Sequence, residues 1–145
     1  MNGNQLPVSI RLVTEIRELG EKAVTVIEEP GTFLQKGNIA VLKFIEHRED
    51  EETIDSLITI SEDKVSIKRT GAVDMHQQFK KKQRTENVYR HAHGTIHMET
   101  HTDQITYQEL TSRQDGKLFI SYTTKLNGEG NRRHRLTLQF KEAPQ

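Results

Sequence analysis

Apolar residues recur at every second position along most of this chain. The segment from 117 to 126, KLFISYTTKL, places Leu118, Ile120 and Tyr122 on one face and, apart from Phe119, polar residues on the other. Successive side chains of a strand point to opposite faces, so this alternation indicates a strand with one buried and one solvated face. The pattern predicts an all-β protein.

Turn signals separate the alternating segments. We predict strands at 8–16, 22–29, 39–47, 53–60, 64–70, 72–79, 85–91, 95–102, 104–113, 117–126 and 135–140. Pro30-Gly31 should end the second strand, and Asp115-Gly116 is typical of a tight turn. Short strands with hairpin-length connections favour one up-and-down antiparallel barrel, with a two-sheet sandwich as the alternative. We expect residues 1–145 to form a single domain with its core at about 7–141.

Composition excludes several classes of function. Lys plus Arg and Asp plus Glu number 21 each, and this neutral balance argues against a dedicated nucleic-acid binder. The chain has no cysteine, so disulfides, thiolate nucleophiles and cysteine-bound zinc are excluded. No apolar run approaches the ~18 residues of a membrane helix, and the first residues do not resemble a signal peptide. We expect a soluble, cytoplasmic protein with no membrane partner.

Several short elements follow one another in a recognisable order between residues 69 and 140. They are Arg69-Thr70-Gly71, Phe79, Tyr89 before Gly94, Thr100 and Thr102, Leu118 to Tyr122, and Leu136 to Phe140. In this succession the chain resembles the YwiB-like family of small bacterial proteins of unknown function. The resemblance implies a calycin-like (lipocalin-like) β-barrel of about 8–10 strands. It implies no catalytic residues, and His93 departs from the aromatic residue expected before Gly94.

Arg69, Phe79, Tyr89 and Tyr122 are the candidate ligand-binding residues of the barrel interior. Arg69 lies on the same face as two apolar residues of its strand, and a buried guanidinium needs either an internal carboxylate or an anionic ligand. Tyr122 would bring a hydroxyl group into the cavity. The alternative is that Arg69 pairs internally and Tyr122 fills the barrel.

Four of the seven histidines lie between residues 89 and 103. His91 and His93 can share a strand face and are weak candidates for a metal site, which needs three or four converging ligands. Beyond Gly94, His97 and His101 should point to solvent, opposite the core face of Ile96 and Met98. We therefore expect no physiological metal and no cofactor.

Three functions remain open. The leading hypothesis is non-enzymatic binding of a small anionic or apolar molecule in the barrel, by a monomer or homodimer. The second is a protein-interaction module, perhaps homodimeric, with a filled barrel and an exposed apolar patch. The third is a metal-dependent enzyme that uses the histidines. The basic segments KKKQR (80–84) and RRHR (132–135) are expected to be solvated loops, so nucleic-acid binding is disfavoured.

Overall fold

The part of the chain that the structure describes contains ten β-strands. The computed structural model describes residues 5–144, and no helix among them is long and apolar enough to cross a membrane. The strands are β1 (Leu6–Glu18), β2 (Glu21–Lys36), β3 (Ile39–His47), β4 (Thr53–Ile60), β5 (Lys64–Gly71), β6 (Asp74–Lys80), β7 (Arg84–His91), β8 (Gly94–Gln108), β9 (Gly116–Leu126) and β10 (Glu129–Glu142).

The strands form a closed antiparallel barrel. Each strand pairs with the one before it, and β10 pairs with β1 to close the sheet. The all-β, up-and-down barrel expected from the alternation is confirmed, and the two-sheet sandwich is wrong. Closure joins the edges that an open sheet would leave at its first and last strands.

The prediction that the second strand ends at Pro30-Gly31 is wrong. Strand β2 continues through both residues to Lys36. Pairing between β2 and β3 begins at Gly31, opposite Phe44, and proline lies just outside this ladder, where its missing N–H costs no bond. Glycine fits because a Cβ at position 31 would stand 2.5 Å from the Lys43 carbonyl oxygen. The two residues therefore mark the end of a pairing rather than of a strand.

Two predicted strands, 95–102 and 104–113, are one strand. Strand β8 continues through Asp103, where the pairing with β9 shifts between Thr102 and Gln104. An extra residue of this kind is a β-bulge, which changes the alternation without ending the strand. The prediction of a tight turn at Asp115-Gly116 is also wrong. A longer loop follows β8, and Gly116 is the first residue of β9.

Inward-facing apolar side chains fill the barrel. Phe79, Phe140, Leu118, Ile120 and Leu138 are all at most 1% exposed. We call the end of the barrel that carries the β1–β2, β3–β4, β5–β6, β7–β8 and β9–β10 turns the hairpin end. The opposite end, which carries the start of β1, the end of β10 and the other four connections, is the terminal end.

Candidate ligand-binding site

A charged pair lies inside the barrel toward the hairpin end. The Arg69 guanidinium donates from Nε and Nη2 to the Glu46 carboxylate at 3.0 and 2.9 Å. The Ser56 hydroxyl donates to the same carboxylate at 2.5 Å. The sequence left two possible partners for Arg69, an internal carboxylate and an anionic ligand, and the structure contains the carboxylate. Because the Glu46 carboxylate neutralises the positive charge of Arg69, burial of this guanidinium does not require an anionic ligand.

Tyr122 lies at the centre of an aromatic stack. Its ring packs parallel to the His134 imidazole with centroids 4.5 Å apart, and the edge of Phe79 meets it at 4.7 Å. Burial raises the pKa of the Tyr122 phenol, although nearby Arg69 acts in the opposite direction. Burial, reinforced by Arg132, lowers the pKa of His134 to about 4, while Glu18 acts to raise it. The stack is therefore uncharged at neutral pH.

Polar side chains continue along the interior wall formed by β6 to β10. Gln77 donates to the Thr100 hydroxyl at 2.9 Å, and the Thr124 hydroxyl meets His134 Nε2 at 2.8 Å. Within residues 5–144, three atoms of this wall are buried without a hydrogen-bond partner: Asn87 Nδ2, Thr102 Oγ1 and His134 Nδ1. These atoms are shielded from solvent by the buried side chains around them, which include Phe79, Ile120 and Tyr122.

Tyr89, His91 and His93 lie together where β7 turns into β8. The rings of Tyr89 and His91 are 5.4 Å apart, those of His91 and His93 are 6.0 Å apart, and His91 Nδ1 accepts from the His93 amide at 3.1 Å. No group of three or more possible metal ligands occurs in the described part of the chain. Of the predicted site residues, Arg69, Phe79 and Tyr122 lie near one another inside the barrel. His91 and His93 lie instead at the β7–β8 turn.

The terminal end of the barrel contains a recess of about 410 Å³. Strands β3, β4 and β8 reach it with apolar side chains, and the loops around it add polar ones. Its walls are formed by Gln35, Gly37, Asn38, Ala40, Ile60, Ser61, Glu62, Ile105, Tyr107 and Glu109. Its volume lies within the range of small-molecule sites, and its lining combines three apolar side chains, Ala40, Ile60 and Ile105, with a larger number of polar ones.

Two side chains of this recess are fixed by their own hydrogen bonds. Gln35 donates from Nε2 to the Gly37 carbonyl at 2.8 Å, and Ser61 donates to the Lys64 carbonyl at 3.0 Å.

The Tyr107 hydroxyl is buried without a partner in the described residues, and burial, together with Glu109, raises its pKa to about 12. The phenol therefore stays protonated at neutral pH and retains its capacity to donate.

A second concavity lies on the outer surface, where β2 and β3 separate. This outer groove has a volume of about 610 Å³, and its lining includes Pro30, Ile45 and Leu57. Glu29 closes one side, because its carboxylate accepts from the His47 amide at 3.2 Å and lies 3.0 Å from His47 Nδ1. The groove opens to solvent, and its lining also includes the buried residues Phe44 and Ser56.

Sequence reasoning missed Glu46 and the recess. Glu46 could have been found, because it continues the inward face of Ala40, Leu42 and Phe44 along β3. The recess offered no such signal: Ala40 and Ile60 are paired in the β3–β4 hairpin, but Ile105 belongs to β8, which only the closed barrel brings to the same recess.

Comparison with known proteins agrees with this architecture. A family model described as "Domain of unknown function (DUF1934)" matches residues 10–138. The uncharacterized beta-barrel protein YwiB of Bacillus subtilis (strain 168) is 24% identical over 136 residues, which span 94% of each chain. A crystal structure of ywiB protein from Bacillus subtilis superposes with a TM-score of 0.84 at 22% identity, covering 97% of this chain and 94% of the other. The structural likeness shows the fold.

Proposed function

We propose that this chain, which belongs to the DUF1934 family of β-barrel proteins of unknown function, binds a small molecule with both an apolar and a polar part, without chemical turnover. The bound molecule occupies the recess at the terminal end of the barrel. The observation that carries this proposal is the shape and chemistry of that recess, an apolar floor of Ala40, Ile60 and Ile105 under a polar rim.

The rim decides the charge of the molecule. Glu62 and Glu109 are the charged residues of the lining, and a carboxylate or phosphate on the ligand would meet their repulsion. Gln35 and Asn38 offer neutral amide groups instead. The polar part of the ligand is therefore neutral or cationic. We do not propose an anionic ligand at Arg69, because Glu46 already pairs with it.

Native mass spectrometry of freshly purified, untagged protein tests the proposal. A co-purified ligand appears as excess mass that denaturation removes. If the native mass is that of the bare chain, titration with the neutral dye Nile red examines the empty recess: its fluorescence should rise on binding to the recess.

Variants then locate the dye. Ile105→Trp fills the recess and should abolish the fluorescence increase, while Val88→Trp, on the outer face of β7, should leave it unchanged. Binding that survives Ile105→Trp in a folded variant, or a wild-type protein with neither bound mass nor dye response, would overturn the proposal.

A further inference from the structure

One edge of β2 is open at the hairpin end. Residues Lys22 to Glu29 pair with β1 on one side. On the other side β3 joins β2 only from Gly31 onward, and within residues 5–144 no other strand pairs with β2 there. Residues 21–26 are all exposed, including Val24 at 54% and Val26 at 46%.

The β1–β2 turn determines which backbone groups face this open edge. Leu19 and Gly20 have φ of 51° and 80°, which is typical of a two-residue type I′ hairpin turn. Its closing pair, Glu18 and Glu21, is hydrogen-bonded, so Lys22 and every second residue after it point their N–H and C=O away from β1. Lys22, Val24, Val26 and Glu28 therefore present unpaired backbone groups to solvent.

Such an edge is a template for another strand. Natural edges are usually protected by proline, bulges or charged side chains. The first proline of β2 is Pro30, beyond the open part, and the charges on the edge, Lys22 and Glu28, are of opposite sign. We propose that two copies of this chain form a dimer by antiparallel pairing of their β2 edges about a two-fold axis at Thr25. This interface lies apart from the recess and holds whether or not a ligand binds there.

Charge complementarity selects this register. With the axis at Thr25, Lys22 stands opposite Glu28 of the partner subunit, and Val24 stands opposite Val26 of the partner subunit. By symmetry each contact occurs twice, and all four residues direct their backbone groups across the interface. Moving the axis to Val24 or to Val26 removes the Lys22–Glu28 contact. With the axis at Val26, Lys22 would also stand opposite Pro30, which has no N–H to donate.

The outer groove provides a second, independent match. Leu19 at the tip of the β1–β2 hairpin is 96% exposed, an unusual position for a large apolar side chain. In the proposed register, Gly20 of one copy stands opposite Pro30 of the other, so the Leu19 tip arrives where the apolar groove of Pro30, Ile45 and Leu57 begins. Each copy thus supplies one exposed leucine and one groove that receives it, as a closed two-fold interface requires.

Sedimentation velocity over a range of concentrations, up to about 0.1 mM protein, tests the dimer. The wild-type protein should sediment as a dimer. Lys22→Glu and Glu28→Lys should each raise the dissociation constant about tenfold, because each converts two attractive contacts into repulsive ones. The double charge swap should restore dimerisation, and Lys117→Glu, an exposed charge reversal on β9, should have no effect.

Two measurements address the backbone pairing itself. Val26→Pro removes an outward N–H but leaves the β1 ladder intact, so it should give a folded monomer by circular dichroism. Hydrogen exchange should show protected amides at Val24 and Val26 in the wild-type dimer and rapid exchange in the monomer. A wild-type monomer at all concentrations, or a dimer unchanged in the single charge variants and with freely exchanging Val24 and Val26 amides, would refute the proposed interface.

Discussion

The Arg69 guanidinium and the Glu46 carboxylate form two parallel hydrogen bonds, at 3.0 and 2.9 Å, inside the barrel. The Glu46 side chain is 9% exposed and that of Arg69 is 27% exposed. Ser56 supplies a further donor to the same carboxylate. This geometry makes the pair a structural element of the barrel, whose loss leaves one charge poorly solvated.

Removal of Arg69 should therefore lower stability. We expect Arg69→Ala to reduce the free energy of unfolding by about 3 kcal/mol, because it leaves the Glu46 carboxylate buried and unpaired. Urea denaturation measures the change. The double variant Arg69→Met, Glu46→Leu should recover most of the loss, and an additive effect of the two single changes would contradict this account.

Two fully buried threonines on β8 should respond in opposite directions. Thr102→Val removes a hydroxyl that has no partner among the described residues and should stabilise the protein by about 1 kcal/mol. Thr100→Val removes the acceptor of Gln77 and should destabilise it by about 1 kcal/mol or more. Both residues are 0% exposed, so each substitution serves as the control for the other. Equal thermal shifts in the two variants would contradict the prediction.

His134 should make the protein less stable in mild acid. Its pKa is about 4 in the folded protein, against about 6.5 in the unfolded chain, so the unfolded state binds more protons between these values. The stability contributed by neutral, buried His134 is fully present above about pH 6.5. The free energy of unfolding then falls by about 3 kcal/mol as the pH drops to about 4. Urea denaturation across this range, compared with His134→Phe, isolates the contribution. A parallel pH dependence in the two proteins would show that His134 is not responsible.

Gly116 should not tolerate a side chain. A Cβ at this position would stand 2.2 Å from the Phe140 ring, which is itself 1% exposed and held against Phe33. We expect Gly116→Ala to destabilise the protein by about 3 kcal/mol through overpacking. Thermal unfolding measures this, and Phe140→Leu in the same chain should relieve part of the loss. A greater-than-additive penalty in the double variant would exclude the proposed steric cause.

Much of the fold could be predicted from the sequence because one face of almost every strand is apolar. The bounds of β3 and β4 agree with the prediction, since each apolar-rich run ends at polar turn residues. Errors arose where a local signal had another cause. Pro30 marks the end of a pairing, and the change of phase at Asp103 reflects a bulge.

The candidate sites were harder to predict. The face of Arg69 followed from its strand, and its partner Glu46 lay within reach of the same reasoning. The recess, the outer groove and the open edge of β2 depend on which strands stay paired and for how long. Those lengths result from the closure of the whole barrel, which the local patterns of a sequence do not reveal.

The pairing of β1 with β10 has a consequence for how the chain folds. All other pairings join consecutive strands through local connections, so they carry a small loop-closure entropy. The last pairing must bring together opposite ends of the chain, and the Ala143 amide donates to the Pro7 carbonyl at 2.9 Å there. A short peptide joining these ends would make that step local, and the polypeptide could then be opened at another hairpin. Circular permutation should therefore preserve the barrel while changing its folding rate.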